Sequence, residues 1–185
     1  MEQLTLTKPR GAICFLRLRK LYHNAFPREE RKPFSIICKM YREGRNDIWC
    51  IRLNGKLMGL ATTVNGEREI LLDYLAVMPG HRGKGIGSRA LEELKKIYQG
   101  KGIIAEIESS REDCPDRERR LVRKQFYVNS GLEPMDVEAE VFGVRMELLG
   151  FNCRLSFREY RQFYHDYNSP WAAKHIKPLD GEDDR

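Results

Sequence analysis

A chain of 185 residues with 41% hydrophobic and 32% charged residues has the balance of a globular protein and is long enough to bury a sizeable core as one domain. No apolar run approaches the ~18 residues of a membrane-spanning helix and the amino terminus lacks a signal-peptide core, so neither membrane insertion nor export is expected and a cytoplasmic location is. The five cysteines, at positions 14, 38, 50, 114 and 153, are odd in number and lack a Cys-x-x-Cys pair or clustered histidines, which argues against a disulfide framework and a structural metal.

Taken in chain order, residues 4–7 alternate and read as a first strand. Residues 11–25 place Cys14, Leu18, Leu21 and Ala25 at helical spacing, and Pro27 closes that helix. A charged link at 28–32 leads to a second helix from Pro33, whose apolar stripe is Phe34, Ile37, Cys38 and Tyr41. Both stripes read as core. Residues 47–53 and 56–63 alternate as strands around Asn54-Gly55, the strongest short hairpin signal, and Asn65-Gly66 marks a second turn into a strand at 69–77. A helix over 85–99 puts Ile86, Ala90, Leu94 and Ile97 on one face and spaces Glu92 and Lys96 to pair on another.

Residues 102–108 form the next strand, and a crossover of this length implies that it runs parallel to the strand at 69–77. Asp113-Cys114-Pro115-Asp116 supplies turn and cap chemistry for a helix to Ser130, stopped by Gly131, with Leu121, Val122 and Phe126 as its apolar face. Strands at 137–142 and 144–149 turn about Gly143. Ser156-Phe157-Arg158-Glu159 is a capping box that opens a short aromatic helix, and residues 180–185 read as a frayed acidic tail. No repeat and no dividing linker appears, so one domain over 1–185 is expected.

The segment that carries chemistry is Arg82-Gly83-Lys84-Gly85-Ile86-Gly87-Ser88, between the strand at 69–77 and its helix. Its glycines let backbone N–H groups approach an anion, the helix start adds unpaired donors and a favourable dipole, and Arg82 and Lys84 add charge, so a pyrophosphate is the expected guest. A nucleotide-triphosphate loop needs Lys-Ser or Lys-Thr after its last glycine; here Gly85 is followed by Ile86, and Gly87 by Ser88. A dinucleotide fingerprint is closer, since Gly85 to Ala90 fits a relaxed form and Glu106 and Glu108 lie about 20 residues on. Its glycines, however, should follow the strand at once, whereas Met78 to Arg82 intervene after Val77 and no second strand-helix-strand half appears.

Arg82-x-x-Gly85-x-Gly87, preceded by Leu75-Ala76-Val77-x-Pro79 and followed by an amphipathic helix, resembles the acetyl-CoA signature of the GNAT superfamily of N-acetyltransferases. Gln125-Phe126-Tyr127-Val128-Asn129-Ser130-Gly131-Leu132 resembles that superfamily's second signature, a helix ending in Phe-Tyr before a glycine. The resemblance covers residues 47–149 and leaves 150–185 as a carboxy-terminal extension. It implies an α/β fold with a mixed central sheet, a strand-loop-helix acetyl-CoA site and flanking helices, and acetyl transfer to a primary amine. Acetyl-CoA is then the co-substrate, without a metal.

By the same resemblance, a bulge at Leu75, Ala76 and Val77 frees backbone groups for pantetheine and the thioester oxygen, and Arg82 to Ser88 hold the phosphates. Tyr127 matches the tyrosine that gives the departing sulfur a proton; an unperturbed phenol titrates near ~10 and remains an acid at neutral pH. Plain packing at a helix end is the competing role, and Phe126 fits that better. The resemblance does not fix the base. Asp73, in an otherwise apolar strand where an unpaired charge is costly, and Glu106 and Glu108, on one face near the end of the next strand, are the candidates, each equally readable as a paired strand-end carboxylate. Arg119, Arg120, Arg123 and Lys124 stand where many members carry an asparagine, which puts a pantetheine contact there in doubt and favours a solvated basic face over a phosphate contact. The four histidines show no metal spacing.

The net charge of +6 is uneven: residues 1–99 carry 19 Lys+Arg against 10 Asp+Glu, and residues 100–185 carry 14 against 17. A basic half suggests nucleic acid, but its charges are scattered along the sequence and CoA phosphates need a positive surround, so nucleic acid is not expected as a partner. The acceptor stays open among small amines, aminoglycoside-like compounds, peptide α-amines and protein lysines, and the protein is expected as a monomer or homodimer. A non-catalytic acyl-CoA sensor of the same fold is the alternative.

Overall fold

The computed structural model describes residues 2–28 and 30–179; the acidic tail expected at 180–185 lies outside them. Eight strands, β1 (Leu4–Thr7), β2 (Asn46–Leu53), β3 (Lys56–Asn65), β4 (Glu69–Val77), β5 (Gly102–Glu108), β6 (Glu133–Val141), β7 (Val144–Phe151) and β8 (Ile176–Pro178), form a mixed sheet in the order β1-β2-β3-β4-β5-β7-β6-β8. The helices are α1 (Gly11–Ala25), α2 (Phe34–Arg42), α3 (Ile86–Ile97), α4 (Arg117–Asn129), α5 (Phe157–Phe163) and α6 (Pro170–Ala173). This is the α/β architecture the sequence implies. The chain divides into two compact units, one of residues up to Asn65 with Leu72–Gln99, the other of Gly66–Leu71 with the residues from Gly100 onward.

In the first unit β1, β2 and β3 are antiparallel neighbours, and the β2–β3 turn has both Asn54 and Gly55 at positive φ, as a two-residue hairpin turn demands. Alternation along the strands sorts their side chains to two faces. Ile48, Cys50, Leu60, Tyr74 and Ala76 meet Leu18, Leu21 and Tyr22 of α1 and Phe34 and Ile37 of α2. On the other face Leu4, Ile51 and Met58 meet Ile86 and Ala90 of α3, with Leu75 and Val77 packed beside them. Two details differ from expectation. In α2 it is Met40, rather than Cys38 or Tyr41, that completes the buried stripe, and in α3 Leu91 is buried while Ile97, at the last turn, is 43% exposed. The α3 charges pair at i,i+3, Glu92 with Lys95 and Glu93 with Lys96, instead of Glu92 with Lys96.

In the second unit β5, β7, β6 and β8 are antiparallel neighbours. The β6–β7 turn places Phe142 and Gly143 at positive φ. β6 begins at Glu133, four residues before the expected start, and tolerates Pro134 because its register with β7 breaks between Pro134 and Glu138. The capping box at Ser156 and Glu159 forms as read and opens α5. Beyond it a π-helical turn (Tyr164–Asn168), α6 and the edge strand β8 were not legible. α4 also differs: Leu121 and Val122 are 42% and 70% exposed, and Tyr127 is its one buried residue.

Candidate active site

The sequence-derived candidates fall into one group in each unit. In the first, a Cβ on Gly59 of β3 would collide with the Ala76 carbonyl, so the two backbones lie closer there than any side chain permits. The Met78 N–H continues the pairing past the end of β4, donating to the Met58 carbonyl at 2.8 Å. Pro79–His81 then make a single 3₁₀ turn, which fills the spacing that separates this loop from a dinucleotide fingerprint.

Gly83 and Gly85 follow at φ of 71° and 73°, a left-handed conformation that other residues enter at a cost. Gly85 is the N-cap of α3 and offers no capping side chain, and the first turn holds no acid. The first-turn amides of Ile86 and Gly87 therefore lack intrahelical acceptors, and the helix start favours an anion. Ile86 itself is buried in the α3 core, so only its backbone serves the loop. Arg82 Nε donates to the Val77 carbonyl at 3.0 Å and Lys84 Nζ to the Gly80 carbonyl at 3.1 Å; both cations are exposed and brace the loop against its own backbone.

Asp73 has a partner that sequence did not supply. Lys32 Nζ lies 2.9 Å from its carboxylate, whose side chain is 9% exposed. The Lys32 N–H donates to Tyr74 Oη, Tyr74 Oη donates to the Glu30 carbonyl, and Tyr22 Oη donates to the Lys32 carbonyl, each near 3 Å. The charged link between α1 and α2 is thus clamped onto β4. Burial, with the Asp73 charge adding to it, pushes the Tyr22 and Tyr74 phenols up, so both remain protonated donors.

In the second unit Tyr127 is 8% exposed, packs edge-on against Phe126 with ring centroids 5.0 Å apart, and makes no side-chain hydrogen bond among the described residues. Burial pushes its phenol up to about 12, with Arg123 offsetting in part, so the phenol stays protonated at physiological pH. Glu106 accepts from Tyr160 Oη at 2.6 Å and Tyr164 Oη at 2.7 Å. Glu108 accepts from Arg123 Nη1 at 2.6 Å and pairs with Arg120 at 3.6 Å. Arg120 also reaches Glu112 and Asp116, and Lys124 pairs with the buried Glu147. The basic run of α4 is therefore only in part a solvated face: Arg119 and Arg123 are exposed, as that reading expects, but Arg120, Arg123 and Lys124 each hold a carboxylate. The two tyrosines on Glu106 stand at i,i+4 in an aromatic stretch, but nothing in the sequence ties them to a glutamate more than fifty residues earlier. Among the described residues no group of three His, Cys, Asp or Glu could hold a metal, and no helix is long and apolar enough to cross a membrane.

Residues 15–124 match the model of the Acetyltransferase (GNAT) family, more than half of the chain, and the protein belongs to that family. A related protein, YjbC of Bacillus subtilis (strain 168), which carries a provisional acetyltransferase name, is 32% identical over 127 residues; the match spans 69% of this chain and 60% of YjbC. A GNAT-family structure from Bacteroides thetaiotaomicron superposes with a TM-score of 0.74 at 18% identity, covering 89% of this chain and 98% of the other. Spermidine N-acetyltransferase from Vibrio cholerae, solved with CoA and spermine, gives 0.60 at 16% identity, covering 80% and 95%. At such identities the likeness to solved structures is one of fold.

Proposed function

We propose that this protein moves an acetyl group from acetyl-CoA to a primary amine. The observation that carries the reading is the uncapped start of α3 behind two left-handed glycines, framed by Arg82 and Lys84, in a chain of the GNAT family. Amides of Gly83 to Ser88 receive the pyrophosphate, and backbone groups of Leu75, Ala76 and Val77 receive pantetheine and the thioester oxygen. The amine lone pair attacks the thioester carbon, the C–S bond breaks, and the thiolate takes the Tyr127 phenolic proton; its raised pKa keeps that proton in place until sulfur needs it.

The proton leaving the amine goes to a carboxylate, directly or through water. Glu108 is held by two guanidiniums and Glu106 by two phenols, whereas Asp73 has one ammonium partner and shares the strand that runs into the loop. Asp73 is therefore placed first. The reaction is assigned to the cytoplasm, in a monomer or homodimer. Release of free CoA thiol across a panel of small amines, polyamines such as the spermine seen in the Vibrio cholerae neighbour, aminoglycosides, peptides and lysine-bearing proteins tests it. Acetyl-CoA binding with no release for any acceptor would leave a sensor in its place.

A further inference from the structure

The first unit carries an open cleft of about 950 Å³ along one face of α1, walled opposite by the β2–β3 turn and floored toward Met78 and Pro79. Among the described residues its lining holds five cations, Arg10, Arg17, Lys20, Arg52 and Lys56, and no carboxylate. Arg52 is fixed, donating from Nε to Thr7 Oγ1 at 3.1 Å and from Nη1 to the Gly55 carbonyl at 2.9 Å. The other four are exposed and make no hydrogen bond or ion pair among the described residues. Between them Ile13, which is 70% exposed, Leu21, Leu57 and Met78 form an aliphatic bed.

Unmatched cations on a concave aliphatic surface fit a guest with carboxylates and aliphatic groups side by side. No aromatic ring lines the cleft, so a nucleic acid strand would find nothing on which to stack its bases. A polyamine would meet only repulsion. From Arg10 to Asn24 the helix rises about 21 Å at ~1.5 Å per residue, room for about six residues of extended chain at ~3.3 Å each. We infer that this cleft binds an acidic, aliphatic peptide segment of a partner protein, with its carboxylates against Arg10, Arg17, Lys20 and Lys56 and its apolar side chains on Ile13, Leu57 and Met78.

The test titrates the full chain into a fluorescein-labelled octapeptide of alternating Glu and Leu, followed by anisotropy at low salt and in saturating CoA. Specific binding is expected to weaken as salt rises and to fall roughly tenfold or more when Arg17, Lys20 and Lys56 are all changed to Gln, or when the peptide carries Gln for Glu. These side chains are exposed, and unchanged thermal unfolding of the variant confirms that the comparison is of binding alone. Cys14 lines the same cleft, so bound peptide is expected to slow its alkylation by iodoacetamide while leaving Cys114 unaffected. Equal binding by the triple variant, or unprotected Cys14, would overturn the assignment. So would displacement by CoA, which would make the cleft part of the cofactor's path. Tighter binding of a single-stranded oligonucleotide lost through the same three substitutions, or charge-dependent self-association of the chain, would overturn it in favour of those guests.

Discussion

Changing Tyr127 to Phe separates proton donation from packing, because the two roles lie on different atoms. The ring is buried against Phe126, and phenylalanine keeps that contact. The hydroxyl makes no hydrogen bond among the described residues, so its removal leaves no protein group unmatched. Stability is expected to stay within about 1 kcal/mol of the parent, a shift in Tm of about 2–4 °C or less for a chain of this size. Turnover is expected to fall by about 100- to 10,000-fold, the usual worth of a positioned general acid, with acetyl-CoA affinity kept. The parent's rate is expected to show no alkaline fall from this group below pH ~11, since its pKa stands near 12 against an unperturbed ~10. Thiol-release kinetics from pH 6 to 10, calorimetry with acetyl-CoA and thermal unfolding of both proteins decide it. Unchanged turnover across that range would refute the assignment. A loss of many degrees in Tm would show instead that the hydroxyl is a structural bond.

Gly85→Val puts a β-branched residue at a φ of 73°, a strain of about 1–3 kcal/mol that a loop can escape only by changing shape; acetyl-CoA heat in calorimetry is expected to vanish, while NAD and ATP give none with either protein. Among Asp73→Asn, Glu106→Gln and Glu108→Gln, the one that removes the base is expected to flatten the acidic limb of the rate profile, because a base works only when ionised; three parent-like profiles would mean that the amine arrives neutral. Burial alone would raise the Glu147 pKa, but Lys124 and Ser110 outweigh it and the result is lowered. Its stabilising contribution is therefore present above the unfolded carboxylate value near ~4.3 and lost as pH falls through the lower folded value. Lys124→Met is expected to cost about 1–3 kcal/mol at neutral pH and to raise the pH midpoint of acid unfolding; a midpoint equal to the parent's would show that the ion pair contributes nothing.

The strands at Glu69–Val77 and Gly102–Glu108 were legible to the residue because both are β-branched or leucine-rich runs cut by glycine on at least one side, and local signals suffice for such runs. The glycine-rich turn from β4 into α3 was legible as a loop for a similar reason: glycine spacing is a property of adjacent residues, and Gly83 and Gly85 take positive φ there. What failed was long-range. Periodicity assigned Leu121, Val122 and Phe126 to the inside of α4, since it treats arginine and lysine as outward-facing; Phe126 is half-buried against Tyr127, but Leu121 and Val122 are exposed. Glu108 and Glu147, on strands of the same unit, pair with Arg120 and Lys124, whose side chains are 12% and 23% exposed, while Arg123 reaches Glu108 from the surface. The Lys32–Asp73 pair, forty-one residues apart, was hidden by the same limitation, as was the pair of phenols on Glu106.

Pairing also changes the meaning of the charge asymmetry. Read along the sequence, the basic surplus of the first 99 residues looked scattered. In the second unit the carboxylates of β5, β6 and β7 take up cations of α4, of β7 and of the β5–α4 connection, as when Glu138 binds Arg145 and Arg111, so cations that looked available are spent on structure. In the first unit Asp47 and Asp73 are taken by Lys8 and Lys32, which leaves Arg10, Arg17, Lys20 and Lys56 around one concavity with no acidic partner among the described residues. Charges fixed in pairs cancel within a few ångströms, whereas like charges gathered around a concave surface reinforce one another outward. Among the described residues Arg82 and Lys84 before α3 and the four cations of the α1 cleft thus have no acidic partner, whereas Arg120, Arg123 and Lys124 of α4 are held by carboxylates.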